Sequence, residues 1–362
     1  MKLLVLAQTP PPLHGQSLMV QTLVAGLPGQ GIVVRHVNLP LSRTSDDIGR
    51  ARPGKVLTAV RAGLAARRAA RRESCDVLYY VPAPGKRAAL WRDIILLGLA
   101  RPACPRLVLH WHASGLGEWL SSAASELERR LAHARLGHAD LAIALSENLL
   151  ADAGLLQPRK TAVVANGIED PGGPVPAAPP VLRGPRRRVL FLGALSADKG
   201  VLVLIEAVAR LRAAGAELEL VLAGAPASAA EAAAIEHTAA PWGDAVQRPG
   251  FVTGLAKAAL FRSADIFCLP THYPHEAQPL VLLEALAQDL PIVATQWRGI
   301  PAMLPPGNPV VPPHDPAALA AGLAEALRAP PPPGANRGHF LARFTRERHL
   351  EALATALRSL EG

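Results

Sequence analysis

Apolar residues fall along this chain in two kinds of run. Short, nearly continuous apolar stretches cover residues 2–7, 32–39, 76–81, 106–112 and 141–145. Between them lie stretches such as 17–27 and 126–136, where apolar residues return every three or four positions. A strand buried on both faces lacks the in–out alternation of a half-exposed strand, so these runs predict parallel strands layered between amphipathic helices. Residues 1–168 therefore predict a Rossmann-like domain.

A second series of the same kind begins at residue 188. Strand-like runs at 188–193, 218–223, 247–251, 265–269, 291–295 and 309–311 are separated by helical patterns, the longest at 201–214. Between the two series, residues 169–187 are rich in proline, glycine and arginine and read as a linker. Pro330 to Pro333 break the chain ahead of a last helical stretch at about 337–360. The predicted organisation is a first domain at 1–168, a linker at 169–187, a second domain at 188–336 and a C-terminal helix in 337–362.

A length of 362 residues agrees with two domains. With 50% hydrophobic and 4% aromatic residues, the composition is that of a helix-rich α/β protein. The three cysteines, Cys75, Cys104 and Cys268, lack any paired spacing for a disulfide framework or a zinc site. Such usage points to a reducing compartment, the cytoplasm by default. The apolar run after Lys2 stops at Pro10-Pro11-Pro12 and reads as a first strand rather than a signal peptide. The run 94–100 is far short of the ~20 residues that span a bilayer.

Lysine and arginine number 38 against 29 acidic residues, a formal charge of +9. Arg61, Arg67, Arg68, Arg71 and Arg72 share one amphipathic helical stretch with Ala, Val and Leu. This stretch reads either as a dock for an anionic membrane surface or as a solvated helix face. Nucleic acid is disfavoured as a partner, because no aromatic residues interleave with these arginines.

The densest chemistry lies in His275-Glu276-Ala277-Gln278-Pro279-Leu280-Val281-Leu282-Leu283-Glu284-Ala285, after one predicted strand and before the next. Proline favours the first position of a helix, so a helix is expected to start near Pro279, with Gln278 just before it and Glu276 in the loop ahead. The amides of Leu280 and Val281, at the positive end of the helix dipole, would then form an anion site. Glu284 would lie roughly 7 to 8 Å further along the helix. Sugar, diphosphate and ribose follow one another at such spacings in a nucleotide sugar. The alternative is a buried leucine face flanked by two solvated glutamates. Loops after the carboxyl ends of parallel strands are, however, where open α/β sheets bind ligands.

Three further places carry candidate chemistry. The loop after the first strand contains Gly15, either a turn glycine or a point of close backbone approach, with Ser17 as the expected helix cap. The fourth strand ends His110-Trp111-His112, with both imidazoles on one face. A zinc pair there would need a third ligand, and none is evident nearby in the sequence. Lys199, just ahead of a predicted helix, opposes the helix dipole, and a bound anion would explain it. Gly-x-Gly-x-x-Gly and Gly-x4-Gly-Lys-Ser/Thr are both absent, which argues against a dehydrogenase and a P-loop ATPase.

The Glu276-x7-Glu284 pattern, with Lys199-Gly200 before it and Asn166-Gly167-Ile168 at the domain junction, resembles family 4 glycosyltransferases. The resemblance implies the GT-B architecture, two Rossmann-like parallel-sheet domains facing across a cleft, with a C-terminal helix returning to the first. It implies a retaining transfer of a sugar from a nucleoside diphosphate to a glycan or lipid-linked acceptor, as in cell-surface polysaccharide or glycolipid synthesis. Glu276 would meet the donor sugar, His112 position it, Lys199 and the Leu280 and Val281 amides hold the diphosphate, and Glu284 accept from ribose hydroxyls. Gly15 and Gln278 would line the donor site.

The nucleotide sugar is itself the substrate, so no cofactor is expected. No Asp-x-Asp metal motif is present, and Asp46-Asp47 sits in a polar loop. Localisation would be cytoplasmic, or peripheral at the inner membrane face if the arginine helix docks there. Three positions depart from the family pattern. Ala194 replaces an arginine that shares the diphosphate, leaving Arg298 or one of Arg186, Arg187 and Arg188 to compensate. The link 271–275 is longer than usual, and Asp289 stands where glycine is common. A nucleotide-sugar epimerase and a non-catalytic two-domain sugar-binding protein are the rival classes.

Overall fold

The structure is a computed structural model and describes residues 1–40, 53–172 and 186–361. The chain divides into two compact units, Met1–Gly167 with Arg346–Gly362, and Ile168–Thr345. Asp46-Asp47 and residues 173–185 of the expected linker lie outside the described residues.

The first unit is built on a six-stranded sheet in the order β2-β1-β3-β4-β5-β6. Its strands are β1 Lys2–Ala7, β2 Val33–Asn38, β3 Val77–Tyr80, β4 Arg106–Trp111, β5 Leu141–Ala144 and β6 Thr161–Val163. Every pairing is parallel. All residues of β3 and β5 are buried, as their unbroken apolar runs require. β6 lies outside the predicted runs: it is a three-residue edge strand with Thr161 and Val163 exposed, too short and too wet to leave an apolar signature.

Helices cover both faces of this sheet. On one face, Leu4, Leu6, Leu78, Tyr80, Leu107 and Leu109 pack with Ala66 of the helix Pro53–Glu73 and Leu97 of the helix Arg87–Ala100. On the other, Leu3, Val5, Val77 and Tyr79 meet Val20 and Leu23 of the helix Gly15–Gly26, together with Leu350, Leu353, Ala354 and Leu357 of the C-terminal helix Arg346–Arg358. The spacing of those last four residues is the apolar stripe of an amphipathic helix. Two local expectations are corrected here. The cap of the first helix is His14, whose side chain accepts from the Ser17 amide, while Ser17 returns a bond to the His14 amide from the third helical position. The stretch expected as one helix over 337–360 is two, Ala335–Arg343 in the second unit and Arg346–Arg358 in the first. At the break, the Ile168 amide donates to the Phe344 carbonyl at 3.0 Å and Ile168 bridges Thr345 in parallel, which draws that backbone out of helical geometry.

The second unit has six strands in the order β12-β11-β10-β7-β8-β9. They are β7 Arg187–Leu192, β8 Leu218–Ala223, β9 Val246–Gly250, β10 Ile266–Leu269, β11 Ile292–Thr295 and β12 Val310–Val311, again paired in parallel. This is the doubly wound Rossmann order, and its direction reverses between β7 and β10. The loops following those two strands flank the crevice in which such sheets take ligands. They carry Lys199 and Glu276.

Asp289 has a left-handed backbone, φ 56°, where glycine would be unstrained. Its carboxylate accepts from the amides of Gly334 at 2.5 Å and Arg337 at 3.0 Å. The aspartate thus caps the start of the helix Ala335–Arg343, a task that glycine could not perform.

Candidate active site

The loop after β7 is pressed against the end of β10. Gly200, at φ 76°, caps the helix Val201–Ala213 in the left-handed region, and a Cβ at this position would stand 2.1 Å from the Pro270 carbonyl oxygen. Only glycine lets the two backbones approach so closely. The His272 amide donates to the Asp198 carbonyl at 2.8 Å, tying the second loop to the first. In the long link 271–275, Thr295 Oγ1 donates to the Thr271 carbonyl at 2.5 Å and Trp297 Nε1 to the Tyr273 carbonyl at 2.7 Å. These bonds fix the link as a structured loop.

Lys199 Nζ lies 2.5 Å from Glu276 Oε2, and Thr271 Oγ1 donates to the same oxygen at 3.2 Å. The ammonium also sits over the Tyr273 ring, 4.8 Å from its centre. Glu276 and Gln278 are buried, each 8% exposed. The sequence expectation brought Lys199 and Glu276 to one ligand, and the structure brings them into direct contact. The helix begins one residue later than expected: Pro279 is the extended cap and Leu280 the first helical residue of Leu280–Ala287. Leu280 and Val281 still hold the first two positions, where amides project from the helix end.

Glu284 is paired too. Its Oε1 lies 2.6 Å from Lys257 Nζ, and its buried Oε2 has no hydrogen-bond partner among the described residues. Lys257, in the first turn of the helix Gly254–Ser263, is absent from the sequence-based candidates. Its signal was the one used for Lys199, a cation at the helix end that disfavours it, in a first turn without acidic residues.

The proposed substitutes for the arginine missing at Ala194 separate sharply. Arg186 pairs with Asp244 at 3.4 Å, Arg187 with Asp265 at 3.0 Å and Arg188 with Glu219 at 3.0 Å. These arginines stand at the amino end of β7, the opposite end of a parallel sheet from Lys199, so compensation by them is ruled out. Arg298 follows β11 at the carboxyl end, its guanidinium 5.4 Å from the centre of the Trp297 ring.

In the first unit, the rings of His110 and His112 lie tilted by 43° with centres 4.2 Å apart, on one face as alternation predicts. Tyr79 Oη is hydrogen-bonded to His110 Nδ1. Burial lowers the His112 pKa to about 3, helped by the nearby His349, and burial likewise holds His110 and His349 below the ordinary histidine value. His112 is thus a neutral imidazole at physiological pH, and its buried Nε2 has no partner among the described residues. The loop after it is held by Asp152, whose carboxylate accepts from the amides of Gly115 at 2.5 Å and Gly117 at 2.9 Å. Gly15 is exposed at the first position of its helix. Among the described residues, no three or more His, Cys, Asp or Glu side chains are grouped to hold a metal ion.

Two Rossmann-type sheets, the second with a Lys–Glu contact at its switch point, define a doubly wound α/β protein of the GT-B type. Residues 186–329, within the second unit, match the family model described as glycosyl transferases group 1. Over 147 residues, 39% of this chain and 36% of the relative, it is 33% identical to a putative colanic acid biosynthesis glycosyltransferase of Salmonella typhimurium. Over 176 residues, 46% of each chain, it is 30% identical to a phosphatidyl-myo-inositol mannosyltransferase of Mycobacterium leprae. The chain thus spans less than half the length of these two curated relatives. The Anabaena HepE structure in complex with UDP-glucose shares the fold, with a TM-score of 0.71, 18% identity, and coverage of 99% of this chain and 100% of that one.

Proposed function

We propose that this protein transfers a sugar, with retention at the anomeric carbon, from a nucleoside-diphosphate sugar to a glycan or lipid-linked acceptor in polysaccharide or glycolipid synthesis. The carrying observation is the contact between Lys199 and Glu276 at the switch point of a glycosyl transferases group 1 domain. When donor binds, Lys199 turns from the carboxylate to the diphosphate, where its charge and the Leu280 and Val281 amides stabilise the leaving group. Glu276 then meets the sugar hydroxyls and the cationic anomeric centre. The neutral His112 offers Nε2 to the sugar, Gly15 and Gln278 line the donor, and Glu284 accepts from the ribose. Arg298 is the cation that stands in for the missing arginine. UDP-glucose in the HepE structure and the sugar-transfer names of the two relatives support this reading. The reaction uses no cofactor, and EDTA should leave its rate unchanged.

A donor labelled in its sugar tests the proposal. The label should leave the nucleotide when acceptor glycan or lipid is supplied; isomerisation on the nucleotide would mark an epimerase, and retention unchanged a binding protein.

The proposal extends to an anionic membrane surface as the place of work. Arg61, Arg68, Arg71 and Arg72 are exposed on the helix Pro53–Glu73, next to exposed Val56 and Leu57. Arg35, Arg68 and Arg72 line a groove of about 410 Å³ beside that helix. Among the described residues no helix is long and apolar enough to cross a membrane. Flotation with liposomes should require anionic lipid and weaken with salt; binding indifferent to both would refute electrostatic docking.

A further inference from the structure

We propose that Lys257 is a positioning residue of the nucleotide site, holding Glu284 so that one carboxylate oxygen faces the vicinal hydroxyls of a ribose. The inference rests on Glu284 being the ribose acceptor and adds the group that aims it.

Glu284 and Lys257 come from separate helices, Leu280–Ala287 and Gly254–Ser263, on either side of β10 in sequence. Their side chains are 21% and 32% exposed, and they meet at 2.6 Å. A lysine in the first turn of a helix works against the dipole, so the helix alone does not account for it. The carboxylate does. With Oε1 taken by the ammonium, the side-chain torsions of Glu284 are fixed and Oε2 is the oxygen left to accept. A buried carboxylate oxygen without a donor is costly, and the cost is removed when a ligand supplies O–H groups at that point. A ribose diol has two such donors on adjacent carbons. Without Lys257, Glu284 would sample other rotamers and lose the aim while keeping its charge.

The probe is whichever of UDP, GDP and ADP raises the melting temperature most, measured against its own 2′-deoxy counterpart. For the unaltered protein the ribonucleotide should bind roughly tenfold tighter than the deoxynucleotide, the scale of one hydrogen bond to a charged group. Lys257→Met should keep the melting temperature of the empty protein and remove most of that ratio by weakening the ribonucleotide. Lys257→Arg, which keeps a cation in reach, should retain it. A ratio unchanged in Lys257→Met would overturn the proposal. If the ratio also survives Glu284→Gln, the ribose role of Glu284 falls with it; if Glu284→Gln alone abolishes the ratio, that role stands and only the assignment of Lys257 fails. Failure of all three nucleotides to bind would overturn both.

Discussion

The carboxyl ends of the two sheets are furnished in opposite ways. In the first unit, the end of β4 carries His110 and His112, whose ring centres lie 4.2 Å apart; Tyr79 is hydrogen-bonded to His110, and desolvation keeps both imidazoles uncharged. In the second, the loops and helices around β7 and β10 carry opposite charges in contact, Lys199 with Glu276 and Lys257 with Glu284. A neutral imidazole can hold a hydroxyl with little reorganisation and suits positioning. A lysine kept beside a carboxylate can trade that partner for a phosphate as charge develops, and so acts on a transition state. In the proposed reaction, His112 serves orientation and the lysine–glutamate contacts serve electrostatics.

The division can be broken most directly at Lys199. Lys199→Ala should cut turnover by about two to three powers of ten, roughly 3 to 4 kcal/mol, the scale of one lost electrostatic donor. Steady-state kinetics on the folded variant decide it, and near-normal turnover would remove this lysine from the mechanism. Gly200→Ala attacks the same loop through its backbone. With the new Cβ 2.1 Å from the Pro270 oxygen and φ at 76°, denaturant titration should show a loss of about 2 to 4 kcal/mol.

Acid sharpens the other half of the comparison. The folded pKa of His112 is depressed, so its unfolded form binds the proton first, and stability is full above about 6.5 and declines as pH falls toward about 3. His112 should by itself remove roughly 1.4 kcal/mol per pH unit over that window. Melting curves from pH 7.5 to 5 should show the fall, and His112→Asn should flatten it. A slope unaffected by that substitution would mean a solvated, ordinary imidazole. The smallest effect is a gain: Ala194→Arg should tighten nucleoside-diphosphate binding by about tenfold. Titration calorimetry showing no gain would mean that Arg298 already fills the place.

Much of the fold was legible because its signals are local. Strands buried on both faces are apolar almost throughout, as in β3, β5, β10 and β11, and the more exposed β2 and β9 also lie within a residue or two of their predicted runs. The edge strand β6, half exposed and three residues long, carried no such signal. Glu276 and Glu284 were legible as a pair because loop and helix place them by adjacent chain alone. The direct pairings were not, since Lys199, itself a sequence candidate, lies 77 positions from Glu276, and Lys257 lies 27 from Glu284.

By itself, the sequence determined two α/β series, the switch-point loops and the residue types gathered there, since hydrophobic period, turn chemistry and helix ends act over a few residues. Only the tertiary structure decided which charges touch, that Arg186, Arg187 and Arg188 are taken up at the wrong end of β7, and why Asp289 replaces glycine. It also decided that the last helix completes the core of the first unit after a break at Phe344 and Thr345. Those outcomes depend on contacts between segments far apart in the chain, where burial and geometry choose among partners that composition leaves equivalent.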